Sequence, residues 1–438
     1  MNKVHFITLG CSKNDIDTTT MKSNLNSESY EITTSPNDAN VIVVNTCGFI
    51  ESAKEESINT ILEAAKLKEN GNLKKLVLAG CLAQRYSKEL MEEIPEVDGI
   101  IGTGSFKDIN SVINSAFEGD RKVILEDFNK YTQDINYKSD VQVTEYVRIA
   151  EGCNNNCSYC IIPKLRGRNK SRPIEDIVKE VEYLTKNGTR EIILIAQNST
   201  DYGIDLYKEY KLQDLIKELS KITLLKWIRI LYLYPDNFTD GLINEFKTNP
   251  KLLKYVDIPM QHISDNVLKR MNRRTSKKQI ENLINQLRSN VPKIAIRTTF
   301  IVGFPGETEE DFDELVSFLE KYKLDRVGAF AYSREEDTVA YSMDNQIDED
   351  LKNERLSSVM DIQQEISSEI MSKKIGSVLE ILIEEKISEG MYLGRSYLDA
   401  PEIDGNIYIS SKNNLEVGCF YTVKILNSLE FDLEGEVI

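Results

Sequence analysis

Short apolar runs alternate with helical stretches over the first 118 residues, and this alternation constrains the fold more than any other feature of the chain. In the helical stretches, residues 12–26, 51–69 and 82–93, apolar residues recur at helical spacing. Strands joined through helices run parallel in one sheet. We therefore predict an N-terminal parallel α/β domain over residues 1–118. Its predicted strands are residues 4–9, 30–33, 41–45, 76–79 and 100–101.

The rest of the chain divides into three parts. Residues 119–140 are polar and are predicted to be a connector. Residues 141–370 contain six apolar runs separated by helical patterns, which predicts a partial (βα)6 barrel with its chemistry at the C-terminal strand ends. Residues 371–438 contain short β-like runs with glycine turns, which predicts a small all-β barrel. The predicted strands of the central barrel are residues 146–150, 191–196, 227–233, 255–259, 296–302 and 327–332.

Three cysteines follow apolar runs of the N-terminal domain directly. Cys11 follows the first run, Cys47 follows the run at 41–45, and Cys81 follows the run at 76–79. Because the carboxyl ends of parallel strands share one edge of a sheet, these thiols are expected to meet in space. Three unrelated buried thiols are the alternative, since free cysteine is among the most buried residue types. The repeated placement favours a shared ligand.

A second set of cysteines, Cys153, Cys157 and Cys160, lies in one short loop after the first predicted strand of the central barrel. Thiolates at this spacing can hold three corners of a metal centre. Structural zinc is the alternative, but it normally takes four ligands, and no fourth cysteine or histidine lies nearby in sequence. An iron–sulfur cluster with one iron left open for a substrate fits better.

The charge balance bears on the partners. The chain has 54 basic and 71 acidic residues and a net charge of −17, and its tail is also acidic. A nucleic-acid binder normally has a basic surface, so this balance argues against DNA or RNA as the main ligand and would suit a basic protein partner. The first residues do not resemble a signal peptide, no apolar run is long enough to span a membrane, and a cytoplasmic protein is expected.

The C-x3-C-x2-C loop after strand one, together with the six βα units, resembles the radical S-adenosylmethionine (radical SAM) superfamily. The resemblance implies that the loop holds a [4Fe-4S] cluster that binds SAM and cleaves it to methionine and a 5′-deoxyadenosyl radical. The basic group Arg166, Arg168, Lys170 and Arg172 either lies near this site and grips an anion or is a solvated loop. By the same resemblance, the residues predicted to contact SAM are Tyr159, Glu191, Gln197, Arg297 and Gly303.

With all three parts in place, the whole chain resembles the methylthiotransferases, which combine a three-cysteine domain, a radical SAM domain and a TRAM β-barrel. The stretches at 9–14 (LGCSKN), 44–50 (VNTCGFI), 259–262 (PMQH) and 394–405 (GRSYLDAPEIDG) resemble the RimO branch, whose substrate is ribosomal protein S12. Ser12 stands where proline is common, and Ile16-Asp17 stands where Val-Asp is common. The boundaries expected are 1–118, 119–140, 141–370 and 371–438 for the methylthiotransferase domain, connector, radical SAM domain and TRAM barrel.

The resemblance implies an enzyme that adds a methylthio group to the β-carbon of an aspartate in S12. Cys153, Cys157 and Cys160 would hold the SAM-cleaving [4Fe-4S] cluster, and Cys11, Cys47 and Cys81 a second one that carries the sulfur. SAM would supply both the methyl group and the radical, with electrons from a donor such as flavodoxin or ferredoxin. A tRNA methylthiotransferase and a non-catalytic iron–sulfur redox protein are the alternatives. The acidic tail is expected to dock S12 through Asp399, Glu402 and Asp404.

Overall fold

The protein is described here from a computed structural model that covers residues 1–125, 138 and 140–438. Its N-terminal strands form one parallel sheet in the order β2-β1-β3-β4-β5-β6. The strands are β1 (Asn2–Thr8), β2 (Tyr30–Ile32), β3 (Val41–Thr46), β4 (Lys75–Ala79), β5 (Val97–Ile101) and β6 (Lys122–Ile124). The helices are α1 (Ser12–Asn24), α2 (Glu51–Asn70), α3 (Gly80–Arg85), α4 (Ser87–Glu93) and α5 (Ile109–Glu118). The predicted parallel α/β architecture is confirmed.

The strand β6 corrects part of the predicted connector. It begins three residues after Gly119, which ends α5 with a positive φ of 88°, and it pairs with Gly99–Ile101 of β5. Three residues are too few to show a periodicity, so polar composition alone placed them in the connector. The rest of the predicted connector, residues 126–137 and 139, lies outside the described residues.

The central part has six parallel strands in the described residues, in two hydrogen-bonded groups, β11-β10-β7 and β12-β13-β14. Leu233 N donates to Asp257 O at 2.8 Å, which links the two groups into one partial barrel. The strands are β7 (Thr144–Arg148), the short pair β8 (Ala150–Glu151) and β9 (Lys170–Ser171), β10 (Glu191–Ile195), β11 (Trp227–Ile230), β12 (Tyr255–Asp257), β13 (Ala295–Val302) and β14 (Arg326–Ala331). The helices are α6 (Ile162–Arg166), α7 (Ile174–Lys186), α8 (Leu212–Ser220), α9 (Asp240–Thr248), α10 (Asp265–Arg270), α11 (Lys277–Asn290), α12 (Glu309–Tyr322) and α13 (Glu349–Ser372).

The C-terminal part is a closed barrel with the order β15-β16-β17-β19-β18. Its strands are β15 (Val378–Ser388), β16 (Met391–Arg395), β17 (Ile407–Ser410), β18 (Phe420–Ser428) and β19 (Leu433–Val437). Short β-like runs at residues 378–384, 407–410, 421–426 and 434–437 predict four of these strands. The pattern misses β16, whose Gly394 weakens the strand signal. A side chain at that position would collide with Leu382 O and the side chain of Ile381, so glycine lets two strands of a small barrel approach closely.

The C-terminal barrel packs against the N-terminal ends of the central strands. Leu382, Leu398 and Ala400 share an apolar cluster with Trp227 and Tyr255, which begin β11 and β12. The C-terminal ends of the central strands are thereby left to the cysteine loop and the N-terminal domain. Among the described residues, no helix is long and apolar enough to cross a membrane.

Candidate active site

The structure brings Cys11, Cys47 and Cys81 to one edge of the N-terminal sheet. Cys11 precedes α1, Cys47 follows β3, and Cys81 lies in the first turn of α3 after β4. A side chain added at Gly10, which has a φ of +94°, would lie 3.1 Å from Cys47 Sγ, so the Cys11 turn rests against Cys47. Gly80 also has a positive φ, +91°, and a side chain there would collide with Asn45. Glycine at both positions lets the three turns pack together.

Polar side chains between the strand ends hold this arrangement. Asn14 donates to Leu9 O at 2.6 Å and to Thr46 O at 3.2 Å, so it joins the ends of β1 and β3. Thr46 donates to Ala79 O at 2.6 Å and joins the ends of β3 and β4. Ser57 of α2 accepts from Cys47 N at 3.0 Å and donates to Cys47 O at 2.9 Å. The sequence analysis predicts no role for these three residues.

The three N-terminal thiols differ in exposure. Cys11 is exposed, Cys47 is half-buried and Cys81 is buried. Burial raises the pKa of Cys81 to about 11; the nearby thiols of Cys47 and Cys11 raise it further, whereas Arg166 lowers it. Burial also raises the pKa of Cys47, and the charge of Cys11 adds to the effect. These thiols lie close enough to interact electrostatically, and a positive metal centre would favour their thiolate forms.

The second cysteine set lies in a loop at the C-terminal end of the central barrel. The loop begins after Gly152, whose φ is +79°, and Cys153 N donates to Gly167 O at 3.1 Å. Asn155 N donates to Cys153 Sγ at 3.4 Å. Burial raises the pKa of Cys153 to about 11 and that of Cys160 to about 12, and the charge of Cys157 adds to both. The loop therefore gathers three thiols in one place, as the sequence predicts.

Both sets fit an iron–sulfur cluster better than a single metal ion. In the described part of the chain, no three His, Cys, Asp or Glu side chains are grouped closely enough to bind one ion. A cluster does not need such a group, because its thiolates bind separate iron atoms. Two buried polar atoms at the adjoining strand ends, Gln197 Oε1 and Tyr332 OH, also have no hydrogen-bond partner among the described residues. Such atoms are suited to binding a polar ligand.

Three of the predicted SAM contacts lie at this end of the barrel. Tyr159 is part of the cysteine loop, and its ring meets Phe304 edge-on at 6.5 Å. Gln197 follows β10, and its amide donates to the carboxylate of Glu151, two residues before Cys153. Gly303 follows β13 with a φ of +71°, and a side chain there would collide with Lys352. Packing against α13 is thus a sufficient reason for glycine at this position.

Glu191 and Arg297 lie at the opposite end of the barrel. Glu191 begins β10 and pairs with Arg229 at 3.0 Å and with Arg395 of β16 at 2.6 Å. Arg297, near the start of β13, pairs with Asp257 at 2.8 Å and Asp404 at 3.4 Å. The prediction that these two residues contact SAM is corrected, because both attach the C-terminal barrel to the N-terminal ends of the central strands.

Two of the three predicted docking acids also have partners within the chain. Asp399 is 1% exposed and accepts from Arg326 Nε at 3.0 Å. Asp404 accepts from the hydroxyl of Tyr255 at 2.6 Å and from Ala400 N at 2.9 Å. Glu402 is exposed, with a φ of +69°. The docking prediction is therefore corrected for Asp399 and Asp404, whose carboxylates are used inside the protein.

Known protein families match this chain in all three of its parts. Residues 147–319 match the Radical SAM superfamily, residues 375–438 match the TRAM domain, and residues 3–102 match the uncharacterized protein family UPF0004. The chain is 50% identical to the ribosomal protein uS12 methylthiotransferase RimO of Clostridioides difficile (strain 630), over 100% of this chain and 99% of that protein. It is 49% identical to the RimO protein of Thermoanaerobacter sp. (strain X514), over the full length of both. The chain belongs to the RimO methylthiotransferase family.

Solved structures share the fold of this RimO family member at low sequence identity. The radical SAM methyltransferase TsrM of Kitasatospora setae, solved with cobalamin and a [4Fe-4S] cluster, has a TM-score of 0.56 and 12% identity. The match covers 75% of this chain and 72% of TsrM. The cobalamin-dependent radical SAM enzyme OxsB, solved with aqua-cobalamin and SAM, has a TM-score of 0.55 and 13% identity, with coverage of 83% of this chain and 56% of OxsB. At these identities the likeness concerns the fold alone.

No sequence motif predicts the charged residues that join the two cysteine sites. Asp17 of α1 accepts from Arg148 at 2.6 Å and from Arg166 at 2.8 Å. Glu151 accepts from the same two arginines, and all four side chains are buried. A second buried group joins Arg85 of the N-terminal domain to Glu335 at 2.9 Å. The basic run at 166–172 is the one sequence signal for this network, and it gives no partner.

Proposed function

We propose that this protein is a radical SAM methylthiotransferase that adds a methylthio group to the β-carbon of an aspartate in ribosomal protein S12. One observation carries the proposal. The N-terminal domain and the central barrel each contribute a site with three thiols, and both sites lie on the same side of the barrel. Arg166 contacts both regions, since it donates to Cys81 Sγ at 3.4 Å and to Glu151 at 3.3 Å. The full-length identity to RimO proteins supports the same substrate class.

We assign one [4Fe-4S] cluster to each cysteine set. Cys153, Cys157 and Cys160 would hold the cluster that binds and cleaves SAM, and Cys11, Cys47 and Cys81 the cluster that provides the sulfur. When bound, the clusters supply the reducing electron and the sulfur, and SAM supplies the radical and the methyl group. The division of the chain also belongs to this proposal, with the N-terminal domain extended past 118 to include β6 (Lys122–Ile124) and with the other boundaries at 140 and 370. Each cluster then has its own domain, and the third domain holds neither.

The protein's own residues position these groups. Tyr159, Gln197 and Gly303 are the proposed SAM neighbours that remain after the correction of Glu191 and Arg297. Gln197 Oε1 is buried and has no hydrogen-bond partner in the described part of the chain, so it is available to a polar ligand beside the cysteine loop. Tyr234, whose hydroxyl lies 4.0 Å from Cys157 Sγ, and Arg273, stacked 3.8 Å from the centre of the Tyr234 ring, close the other side of the loop.

Charge supports a basic protein substrate over an RNA substrate. The C-terminal barrel has six basic and twelve acidic residues, so it would repel a phosphate backbone. Glu402 is the exposed acid of the predicted docking group and stays a candidate contact for S12. Flavodoxin or ferredoxin is proposed as the electron donor, and the cytoplasm, where ribosomes assemble, as the location.

The test is an assay of the reconstituted protein with S12, SAM and dithionite, read by mass spectrometry of S12 peptides. We expect one aspartate to gain a methylthio group and tRNA in a parallel reaction to stay unmodified. Modified tRNA with unmodified S12 would replace this proposal with the tRNA enzyme. Cluster-loaded protein that never cleaves SAM would favour the redox carrier. Replacing dithionite by flavodoxin or ferredoxin tests the proposed donor.

A further inference from the structure

Arg166, the last residue of α6, is 3% exposed, and its guanidinium reaches the N-terminal domain. Its Nη2 donates to Cys81 Sγ at 3.4 Å, to Asn14 Oδ1 at 2.9 Å and to Asp17 Oδ2 at 2.8 Å. Its Nη1 donates to both oxygens of Glu151 at 3.3 Å. One rigid guanidinium therefore binds the Cys81 thiol of the N-terminal cysteine set and the carboxylate of Glu151, which precedes the Cys153 loop in sequence.

The backbone around Arg166 fixes this position. Gly167 directly follows it with a φ of 73°, and its carbonyl accepts from Cys153 N. On the other side, Asn14 ties the end of β1 to the end of β3 beside Cys47. A movement of Arg166 would therefore displace the surroundings of both sites, and its planar fork suits a contact that must keep a defined geometry.

The charges indicate a second effect. Arg148 and Arg166 balance Asp17 and Glu151, so the network is neutral before any thiolate is counted. A cluster bound at Cys81 becomes more negative with each electron that it takes up. A buried cation that hydrogen-bonds one of its sulfurs stabilises the reduced form, because hydrogen bonds and charges near the sulfurs set the reduction potential.

We propose that Arg166 is a positioning residue that raises the reduction potential of the cluster at Cys11, Cys47 and Cys81 and holds that cluster against the Cys153 loop. The inference rests on the proposed function, since it requires a cluster at the N-terminal thiols. It goes beyond that function, because neither the cysteine pattern nor the family resemblance assigns a residue to this task.

The experiment compares wild type with Arg166→Gln, Arg166→Lys and a control, Glu335→Gln, in the reconstituted full-length protein. Glu335 is 2% exposed and pairs with Arg85 and Lys54 of the N-terminal domain. Glu335→Gln therefore weakens the same domain interface. It is a matched control because Glu335 pairs with these two side chains and not with a cysteine. Reductive titration followed by electron paramagnetic resonance gives the two potentials. The variant with Cys153, Cys157 and Cys160 changed to Ala identifies the signal of the N-terminal cluster.

For Arg166→Gln we expect the reduction equilibrium of the N-terminal cluster to fall at least tenfold, which is about 59 mV for a one-electron couple. The cluster in the Cys153 loop should shift less. Arg166→Lys keeps the positive charge and loses the planar guanidinium. The potential of the N-terminal cluster in this variant should therefore lie between those of wild type and Arg166→Gln. Arg166→Lys also serves as the test if Arg166→Gln does not load iron. Glu335→Gln should leave both potentials near wild type.

Two results would overturn the proposal about Arg166. One is an unchanged potential in an Arg166 variant that is folded and fully loaded. The other is an equal shift in Glu335→Gln, which would mean that any weakening of the interface has the same effect. Wild-type protein with a single cluster would instead contradict the proposed function, so the two failures can be told apart by the iron content alone.

Discussion

The two ends of the central barrel carry similar charged and polar residues, but these residues are satisfied in different ways. At the N-terminal strand ends, Glu191 lies between Arg229 and Arg395, and Asp399 lies on Arg326. At the C-terminal strand ends, the buried atoms Gln197 Oε1 and Tyr332 OH have no partner among the residues that the structure describes. The N-terminal end is therefore an interface between two domains, and the C-terminal end has polar atoms that are available to a ligand.

The difference shows how a charged residue in a barrel strand should be interpreted. Its position along the strand decides its role more than its chemical type does, because ligands bind at the C-terminal ends of parallel strands. Glu191 is the first residue of β10, and Gln197 follows the same strand at its other end. The first binds the C-terminal barrel, and the second binds Glu151 beside the cysteine loop.

The largest effect is expected at the C-terminal end. Changing Cys153, Cys157 and Cys160 to Ala should halve the iron from about eight to about four atoms per chain and abolish SAM cleavage. Iron analysis and the release of 5′-deoxyadenosine measure both. Cys419→Ala is the control, since Cys419 lies in the C-terminal barrel away from both cysteine sets in the fold. Full iron in the triple variant would show that the loop does not bind a cluster.

At the other end, Glu191→Gln should lower stability and spare the chemistry. It leaves Arg229 and Arg395 buried without their shared carboxylate, which costs about 3–5 kcal/mol of unfolding free energy. The rate of SAM cleavage per folded molecule should stay at the wild-type value. Glu380→Gln is the control, because Glu380 pairs with Lys226 on the surface of the same interface and should cost about 0–1 kcal/mol. Loss of SAM cleavage in folded Glu191→Gln would show that the N-terminal end of the barrel also takes part in the chemistry.

The effect of Glu191 should also depend on pH. Burial alone would raise the pKa of Glu191, but the charges of Arg395 and Arg229 and their hydrogen bonds outweigh it and lower the pKa. A carboxylate with a lowered pKa stabilises the folded state above its unfolded pKa of about 4.3, and this contribution disappears as the pH falls through the folded value. The stability gap between wild type and Glu191→Gln should therefore be constant from pH 7 to about 5 and shrink below about 4. A gap that widens in acid would contradict the ion pairs.

A smaller effect is expected for Gln197→Ala at the C-terminal end. The variant loses the hydrogen bond to Glu151 and one buried polar atom, so its free energy of unfolding should fall by at most about 3 kcal/mol. The kcat/KM for SAM cleavage should fall about tenfold, which corresponds to about 1.4 kcal/mol. Thr200→Ser, a nearby buried change that keeps the hydroxyl, is the control. Unchanged kcat/KM in Gln197→Ala would remove this residue from the SAM neighbourhood.

The sequence predicts what local patterns can encode. Cys11, Cys47 and Cys81 each follow an apolar run, and parallel strands bring such positions together, so their meeting can be expected before the structure is known. Cys153, Cys157 and Cys160 lie in one loop, and their proximity follows from spacing alone. The three-part architecture follows from periodicity in the same way, apart from the short strand β6 and the glycine-containing β16.

Long-range partners could not be predicted. The carboxylate of Glu191 is paired by Arg395, more than 200 residues later, and Asp399 meets Arg326 across a domain boundary. No periodicity or motif links such positions, so the sequence alone predicts that Glu191 contacts SAM and that Asp399 docks S12. Arg166 is similar: its sequence neighbours are basic, but its partners Cys81 and Asp17 come from another domain.

The two cysteine sites at this end of the barrel are proposed to do different work. The variant with Cys11, Cys47 and Cys81 changed to Ala, given SAM, reductant and S12, separates the two roles. We expect half of the wild-type iron, continued release of 5′-deoxyadenosine, and S12 peptides without a methylthio group by mass spectrometry. If this variant, with the Cys153 loop cluster alone, formed methylthiolated S12, the N-terminal thiols would not be needed for sulfur transfer.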